Sequence, residues 1–485
     1  MMLKQVIEFN NLSGRTLNII LIAVSAVGLA AIFWWMSVDP TKDFTISQEG
    51  ADNRGAGNAF VQNVNIGENF EEFSSDYKPM NETWPNFRGA DRDNISKSPV
   101  KLIDKFGPEG PKIVWSVDLG EGHSGAAVYK GLAYVLDYNE EKRADVLRCF
   151  SLVDGKEQWD RGYDVAVKRN HGMSRTIPAV TEKYILTIGP KCHVMCLDRE
   201  TGNFRWGLDI VKEYSNEIPF WYTGQCPLID NGVAVLGIGG SKLMVAVDCE
   251  TGEKIWETPN PNGWQMSHSS VMPYTFGGRK MYVYSAIGGI VGVAADGPDA
   301  GSVLWETNAW THSVIAPSPV CMPDGKIFLT AGYGAGSMML QLSENGGQFT
   351  VAAIAEYSPG DGLACEQQTP LYWEGHLFGI LPKDGGALRN QLVCVDPSDT
   401  KKIVWSSGKE NRFGLGPFFI ADNKMFILND DATLTIARPS TREFILLDQA
   451  LVFEDAHDAW APFALADGYL IMRDSKKMVC IDLNK

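Results

Sequence analysis

Histidine is the residue type in this sequence best suited to chemistry near neutral pH, because its imidazole titrates at about 6.5 and can bind a metal, move a proton or hydrogen-bond a ligand. The chain has seven histidines among its 485 residues. Five of them stand shortly before apolar runs: His123, His171, His268, His312 and His457. This shared position predicts that the five histidines belong to one site.

Equivalent positions ahead of apolar runs hold further side chains that suit ligand binding: Arg175, Tyr222, Trp310, Glu366 and Arg412. We predict that these residues and the five histidines together bind a ligand or a protein partner. Trp and Tyr with polar neighbours are typical of binding surfaces. The alternative is that the polar side chains line a water-filled channel and satisfy the amides of its loops.

Other motifs of catalytic or metal-binding type do not withstand a geometric check. In the run CHVMC, Cys192 and Cys196 share one face of a strand while His193 points to the other face, so one metal ion cannot collect all three. The runs GIGGSK and GYGAGS lack the spacing of a phosphate-binding loop and are predicted to be hairpin turns. No nucleophile elbow occurs. We therefore predict no catalytic residue and no metal site.

The elements that must position the predicted site recur along the chain. The clearest copies are CLDRETGNFRW, ending at Trp206, and AVDCETGEKIW, ending at Trp256. Alternating apolar residues predict a strand, Asp and Thr-Gly predict a tight turn, and the Trp falls on the next strand. The aromatic residue that ends each copy stands at positions 115, 159, 206, 256, 305, 349, 405 and 444. The mean spacing of about 47 residues is typical of a four-stranded propeller blade.

Two incomplete copies predict how the ring of blades closes. The run PKIVW, ending at Trp115, has only the outer half of a repeat, and MVCIDL at the carboxyl end has only the inner half. Pairing of Lys112–Val117 with Met478–Leu483 would complete one blade from both ends of the chain and leave no free edge. The prediction is an all-β, eight-bladed propeller, in which the loops ahead of the inner strands converge at one mouth of a central channel.

The nine cysteines do not indicate a disulfide framework. Four of them occupy one position of the repeat, which Ala246 fills in another copy: Cys149, Cys196, Cys394 and Cys480. Because alanine fits the same place, we predict that these thiols are free and fill inward-facing packing sites.

The amino-terminal region predicts attachment to a membrane. Residues 17–36 carry no charge and are long enough to cross a bilayer, and Lys4 and Arg15 before them favour a cytoplasmic amino terminus. The alternative is a cleaved signal peptide. We predict a short cytoplasmic segment over residues 1–16, the anchor over 17–36, a flexible acidic linker over 37–83 and the propeller over 84–485. Alternatively, Phe60, Phe70 and Phe73 pin parts of the linker onto the propeller or a partner. The net charge of −16 argues against binding of nucleic acid.

The pattern Ala/Cys-x-Asp-x-x-Thr-Gly-x-x-x-Trp resembles the repeat of pyrroloquinoline-quinone-type propellers. These include the quinoprotein alcohol dehydrogenases and the propeller lipoprotein of the outer-membrane barrel-assembly machinery. The run WPNFRG at Trp84–Gly89 resembles the lead-in of many bacterial proteins of this type. The resemblance covers about 400 residues of the chain. It implies the fold but not the function, because both enzymes and scaffolds share that fold.

The resemblance also implies what a quinoprotein dehydrogenase would need. Those enzymes carry vicinal cysteines beside the quinone, a Glu and an Asn that bind calcium, and an Asp that acts as the base. This chain has no vicinal cysteines, and only Glu366 and Asp458 are candidates by position for the carboxylates. We predict a scaffold for binding or assembly in a membrane or envelope complex, held in the bacterial inner membrane with its propeller in the periplasm and without a resident cofactor. The alternative is an oxidoreductase with pyrroloquinoline quinone and calcium in the central funnel, and a solute-binding propeller is the third interpretation.

Overall fold

The computed structural model describes residues 14–37 and 63–485, which belong to two separate compact units. In the first unit, helix α1 (Gly14–Ser37) has 24 residues and contains the whole predicted span. At 1.5 Å per residue the helix is about 36 Å long, which is enough to cross a bilayer core of about 30 Å. By length and composition this helix qualifies as a membrane anchor or a signal segment. Most of the predicted cytoplasmic segment and the first part of the predicted linker lie outside the described residues.

The second unit is built almost entirely from strands. Ahead of the first complete blade come β1 (Asn69–Glu72), β2 (Thr83–Trp84) and β3 (Ile113–Asp118). The first four blades contain β4 (Ala126–Tyr129), β5 (Leu132–Asn139), β6 (Ala144–Ser151), β7 (Glu157–Asp164), β8 (Ala179–Val180), β9 (Tyr184–Ile188), β10 (His193–Asp198), β11 (Phe204–Asp209), helix α2 (Ile210–Tyr214), β12 (Leu228–Asp230), β13 (Val233–Gly237), β14 (Lys242–Asp248), β15 (Lys254–Pro259), β16 (Met272–Phe276), β17 (Arg279–Ala286), β18 (Gly289–Ala294) and β19 (Val303–Thr307).

The remaining blades contain β20 (Val320–Cys321), β21 (Lys326–Ala331), β22 (Gly336–Asn345), β23 (Gln348–Tyr357), β24 (Leu371–Trp373), β25 (His376–Ile380), a 3₁₀ turn (Gly386–Leu388), β26 (Leu392–Asp396), β27 (Asp399–Ser406), β28 (Phe418–Ala421), β29 (Lys424–Leu428), β30 (Thr433–Arg438), β31 (Ile445–Leu451), β32 (Ala464–Ala466), β33 (Tyr469–Arg473) and β34 (Lys477–Asp482). They form eight antiparallel sheets. We number the blades 1 to 8 by their innermost strands, which are β4, β8, β12, β16, β20, β24, β28 and β32. The predicted eight-bladed propeller is confirmed.

The repeated motif works as a turn followed by a contact with the next blade. The Asp198 carboxylate accepts hydrogen bonds from the amides of Glu200 and Thr201, at 3.1 and 3.0 Å, and Gly202 supplies the positive φ of 68° that the turn requires. On the following strand, the Trp206 indole donates to the carbonyl of Cys249 in blade 3, at 3.0 Å. Trp206 therefore joins blade 2 to blade 3, and Trp405 likewise joins blade 6 to blade 7 through the carbonyl of Ser440.

The ring closes as predicted from the two incomplete repeats. Strand β3 pairs antiparallel with β34, with Trp115 opposite Cys480 and Val117 opposite Met478. The Trp115 indole then donates to the carbonyl of Leu152 in blade 1, at 2.8 Å. Blade 8 thus takes one strand from the beginning of the propeller and three from its end, and this sheet has the same number of strands as the other regular blades.

The described part of the predicted linker lies against the propeller. Strand β1 pairs antiparallel with β7, on the outer edge of blade 1. Phe70 packs against Trp159 with ring centroids 6.3 Å apart, and the Arg161 guanidinium lies 4.1 Å from the Phe70 ring centroid. From residue 63 onwards the structure therefore differs from a free linker, because the open edge of β7 offers unpaired backbone groups and Trp159 offers an apolar surface. The structure thus shows the alternative prediction for Phe70, whose ring packs against the propeller.

The WPNFRG run and the residues after it brace the interior of the ring; we call residues 83–96 the hub segment. Its first strand, β2, pairs with the innermost strand of blade 1. The Arg88 guanidinium donates to the carbonyl of Thr369 at 2.8 Å, and that of Arg92 donates to the carbonyl of Pro227 at 3.0 Å. The Ile420 amide donates to the carbonyl of Asn94 at 2.9 Å. One segment therefore contacts blades 1 and 7 and the approaches to blades 3 and 6.

The four cysteines at the repeated position are free and fully buried: Cys149, Cys196, Cys394 and Cys480. Burial raises the pKa of Cys149, Cys394 and Cys480 above its ordinary range, and the pKa of Cys196 is raised first by a hydrogen bond with Cys249 and then by burial. Cys196 and Cys394 lie directly opposite the outer aromatic residues Trp206 and Trp405 of their blades. Their environment is that of packing residues in the sheet interior.

Candidate functional site

A small cavity of about 150 Å³ lies where the loops ahead of the innermost strands meet. We call these loops the mouth loops; each runs from the outermost strand of one blade to the innermost strand of the next. The mouth loops of blades 1, 2, 3, 4, 5, 6 and 8 contribute to the cavity, and Phe87 of the hub segment also lines it. We call this cavity the funnel. Four of the predicted site residues meet in it: His123, Arg175, His268 and Glu366.

Arg175 brings a positive charge to the funnel. Its Nε donates to the carbonyl of Trp221 at 2.5 Å, and its Nη2 donates to the carbonyls of Asn170 and His171, both at 2.8 Å. Burial lowers the pKa of Arg175 to about 10, so the guanidinium remains charged at neutral pH. Within the described part of the chain, no carboxylate lies within salt-bridge distance of Arg175, and its Nη1 makes no hydrogen bond. The funnel therefore contains a cation that is fixed by carbonyl groups and not neutralised by a carboxylate.

The two funnel histidines are neutral near pH 7. Burial, together with the charges of Arg175 and Arg473, lowers the pKa of His123 to about 3. Burial likewise lowers the pKa of His268 to about 4, with a smaller effect from Arg175. The buried Nδ1 of His123 has no hydrogen-bond partner among the described residues. These imidazoles can offer a hydrogen bond to a ligand but not a second positive charge.

Aromatic rings form much of the funnel wall. Trp221 and Tyr333 stack with ring centroids 5.5 Å apart and an interplanar angle of 22°, and Trp460 lies 5.0 Å from the imidazole of His123. Trp221 and Tyr333 both have a φ of 57°, and Tyr222 has a φ of 71°. Bulky residues rarely adopt this left-handed conformation, and strain of this kind clusters at binding and catalytic sites. Tyr333 is 63% exposed, so the stacked pair presents an apolar surface to solvent.

The wall of blade 6 is polar and faces Arg175 across the ring. Glu366 and Gln367 lie on the mouth loop of blade 6, whereas Arg175 lies on that of blade 2, and these blades are opposite in a ring of eight. Burial raises the pKa of Glu366, Lys383 opposes this shift, and the carboxylates of Asp384 and Asp430 reinforce it. The Gln368 amide donates to the carbonyl of Leu415 at 3.1 Å. The funnel is thus cationic on one side and carries a carboxyl group and amides on the other.

Three further predicted residues lie around the funnel. His171 and His457 line a second, wider cavity of about 850 Å³ between the mouth loops of blades 1, 2 and 8, which His123 also borders. In that cavity the His457 Nδ1 lies 2.9 Å from a carboxylate oxygen of Asp458. The Tyr222 hydroxyl donates to the carbonyl of Lys168 at 2.6 Å and thus ties two mouth loops together.

The other three predicted residues do not line the funnel. Trp310 is fully buried and packs edge-on against His312 with ring centroids 4.2 Å apart. Arg412 donates to the carbonyls of Lys409 and Arg389 and therefore holds two loops outside the cavity. All three stand at the predicted position ahead of an inner strand, but none of the three side chains lines the cavity. Position along the repeat indicates the mouth loop and does not indicate the direction of the side chain.

Two aromatic residues of the funnel, Tyr333 and Phe87, lie outside the mouth loops and were not anticipated from the sequence. Tyr333 lies in the GYGAGS run, which is a hairpin as predicted but also places an aromatic ring over the mouth. Phe87 lies in the hub segment, far from the mouth loops in sequence. A large aromatic residue between two glycines was the available signal for Tyr333. No pattern in the sequence indicated that Phe87 reaches the funnel.

The donor groups do not fit a calcium-bound quinone. Glu366 is the only Asp or Glu among the described residues that line the funnel, while Asp458, the other candidate by position, borders the second cavity. Across residues 14–37 and 63–485, no group of three or more His, Cys, Asp or Glu side chains is arranged to hold a metal ion. A calcium ion takes six to eight oxygen ligands. The structure therefore does not bring Glu366 and Asp458 together in one cavity, as a calcium site beside a quinone would require.

The chain is similar to one protein family and to several solved propeller structures. Residues 142–361 match the family described as outer membrane protein assembly factor BamB. The chain is similar in structure to BamB from Moraxella catarrhalis, with a TM-score of 0.50, 12% identity and coverage of 77% of this chain and 99% of that one. It is also similar to a europium-containing methanol dehydrogenase, with a TM-score of 0.58, 10% identity and coverage of 83% and 98%.

A computationally designed protein, Ika8, is similar to the same extent, with a TM-score of 0.50, 11% identity and coverage of 76% of this chain and 99% of that one. A search of curated proteins gave no match. At such low identities the structural similarities show the fold alone. The family match adds a similarity to repeats of the pyrroloquinoline-quinone type over residues 142–361, from within blade 1 to the end of blade 5.

Proposed function

We propose that this chain, an eight-bladed β-propeller with pyrroloquinoline-quinone-type repeats, is a non-catalytic binding subunit that recognises a protein partner at the mouth of its ring. The observation that carries the proposal is the stacked pair of half-buried Trp221 and exposed Tyr333, both held by backbone in the left-handed region. Holding two bulky residues in this conformation costs about 1–3 kcal/mol each. Backbone strain of this kind clusters at positions where the placement of the side chain serves a function.

The surroundings of the aromatic pair favour a protein partner. Phe220 and Ile218, on the same mouth loop as Trp221, are 42% and 39% exposed, so the apolar surface continues beyond the funnel. Binding surfaces are enriched in Trp, Tyr and Arg, and all three residue types occur here with Arg175. The similarity to BamB, an assembly factor by its family description, supports a role in a membrane-associated assembly.

A quinone-dependent oxidoreductase remains the alternative that the fold permits. The similarity to a methanol dehydrogenase supports the fold of that alternative and not its chemistry. The separation of Glu366 from Asp458, together with the lack of vicinal cysteines, argues against it. We therefore place this chain with the binding propellers.

The proposed location is the periplasmic side of a bacterial inner membrane, with the amino terminus in the cytoplasm. The apolar helix α1, with Arg15 in its first turn and Lys4 ahead of it in the sequence, supports this orientation. The helix would serve as a single-pass anchor in the lipid bilayer.

The test is capture of the partner from the native membrane. Full-length protein carrying an affinity tag would be crosslinked, purified and compared with a Trp221→Ala/Tyr333→Ala double variant. A matched control changes Ile255→Ala and Val404→Ala, two exposed apolar residues on the outer strands of blades 3 and 6. We expect the mouth variant to lose the captured partner while its melting temperature stays within a few degrees, and the control to retain it. Loss in the control and retention in the mouth variant would contradict the proposal.

A further inference from the structure

We infer that the funnel accepts the free carboxyl terminus of a partner polypeptide, with the terminal carboxylate on Arg175 and an apolar last side chain against the aromatic wall. This inference rests on the proposed function and names the part of the partner that the mouth recognises. It follows from the distribution of charge, aromatic surface and free hydrogen-bonding groups around the cavity.

Arg175 is prepared to bind an anion. Hydrogen bonds from Nε and Nη2 to four carbonyl oxygens fix the plane of the guanidinium, and Nη1 is left without a protein acceptor within the described residues. A carboxylate is the acceptor that matches a guanidinium best, and such bonds are about twice as strong as neutral ones. Because the cation is already oriented, binding an anion there would require little additional ordering.

The funnel accommodates only one negative group. The neutral histidines, His123 and His268, supply no further positive charge, and the carboxyl group of Glu366 on the opposite wall offers no cation to a second carboxylate. A ligand with one carboxylate at one end and hydrogen-bond donors behind it matches this asymmetry. A polypeptide terminus has that arrangement, because backbone N–H groups follow its carboxylate and would face Glu366 and Gln367.

The aromatic surface extends farther than a small acid can cover. Trp460 and Trp221 flank the funnel, and the exposed rings of Tyr333 and Phe220 continue the apolar surface outward. An apolar terminal side chain would fill the funnel, and the preceding residues would cover the outer rings. The outer surface would have no contact with a free aromatic acid, which is why we favour a chain end.

The experiment compares two forms of one peptide on full-length protein in detergent. The probe is acetyl-Gly-Gly-Ala-Phe, prepared as the free acid and as the carboxyl-terminal amide, with binding followed by tryptophan fluorescence and by calorimetry. We expect the free acid to bind at least about tenfold more tightly than the amide, a difference of about 1.4 kcal/mol. Equal affinities for the two forms, or no binding of either at about millimolar concentration, would overturn the inference.

Variants then assign the effect to the residue. In Arg175→Gln the preference for the free acid should disappear, whereas Arg412→Gln, an arginine of the same face outside the funnel, should keep it. If Arg175→Gln fails to fold, Tyr333→Ala provides the second measurement: it should weaken both peptide forms equally, because the ring contacts the chain and not the carboxylate. A larger loss for the free acid than for the amide in Tyr333→Ala would contradict the assignment.

A third arm separates a chain end from a small acid. Phenylpropanoate carries the same carboxylate and ring without the preceding residues, and it should bind at least about tenfold more weakly than the peptide acid. Equal affinity would overturn the inference in favour of a small-acid site. If the mouth variant loses its membrane partner but the two peptide forms bind equally, the proposed function stands and this inference fails.

Discussion

At the scale of single residues, the propeller buries groups whose ionisation is sensitive to pH. Asp145 lies between blades 1 and 2 and is almost fully buried, with the Tyr163 hydroxyl donating to its Oδ2 at 2.8 Å. Its other carboxylate oxygen is buried without a partner among the described residues. Burial raises the pKa of Asp145 to about 7, and Tyr163 opposes that shift.

This carboxyl group should make the propeller less stable as the pH rises. Between the unfolded pKa of about 3.9 and the folded pKa of about 7, the folded chain holds a proton that the unfolded chain has released, so the free energy of unfolding falls with rising pH. The full effect is about 4 kcal/mol at most and is complete above pH 7. Asp145→Asn cannot ionise and should melt at a higher temperature than wild type at pH 8, with a smaller difference at pH 4.

Calorimetric melting curves at several pH values would check this prediction. Asp154→Asn serves as the control, because Asp154 stands in an exposed turn and its pKa is lowered by hydrogen bonds from Ser151 and Lys156. The control should show the same dependence on pH as wild type between pH 5 and 8. A difference between Asp145→Asn and wild type that does not change with pH would contradict the assignment.

At the scale of secondary-structure elements, β1 adds a strand to the outside of blade 1, whose sheet has six strands in all. Four residue pairs join β1 to β7, and Phe70 lies between Trp159 and Arg161. Phe70→Ala should release β1 because its ring provides the main apolar contact. Deleting a partly exposed aromatic contact should cost about 1–2 kcal/mol, less than a core position.

Hydrogen exchange would measure this release. The amides of residues 69–72 should lose protection in Phe70→Ala, while β5 and β6 in the same blade keep theirs. Phe73→Ala is the matched control, since Phe73 is 48% exposed and lies just beyond the strand. Unchanged protection of β1 in Phe70→Ala would show that the backbone bonds hold the strand without the ring.

The regular elements were predictable from the sequence, and the irregular contacts were not. The repeat gave the blade period, the turn and the pairing of β3 with β34, because each depends on local spacing. The destination of β1 was left open, because a single Phe in an acidic segment does not indicate which surface it contacts. In the funnel, the mouth loop of each candidate was predictable, but whether the side chain faced the channel, as in Arg175, or turned away, as in Trp310, depends on loop geometry.

At the scale of the whole molecule, ring closure makes the fold depend on both ends of the propeller. Strand β3 supplies the outermost strand of blade 8, and the hub segment just before it contacts blades 1 and 7. Deleting residues 83–118 would expose an edge of β34 and remove the bonds of Arg88 and Arg92. We expect aggregation or loss of a cooperative melting transition, not a moderate decrease in stability.

Light scattering and calorimetry on the truncated chain would test this expectation. A milder change separates the two contributions: Arg88→Met removes the hydrogen bonds of Arg88 and leaves β3 in place. That variant should remain soluble and melt cooperatively at a lower temperature. A truncated chain that stays soluble with an unchanged transition would show that closure of the ring does not require β3.

The order of attachments along the chain has a mechanical consequence. A pull arriving from the amino-terminal side meets β1 first, then β2 and the hub segment, and reaches the closing strand β3 last. Tension would therefore first peel β1 from β7 at the outer edge of blade 1, before it reached the pair β3 and β34. The pairing of β3 with β34, which keeps the ring closed, would therefore carry a force from the amino-terminal side only after β1, β2 and the hub segment had detached.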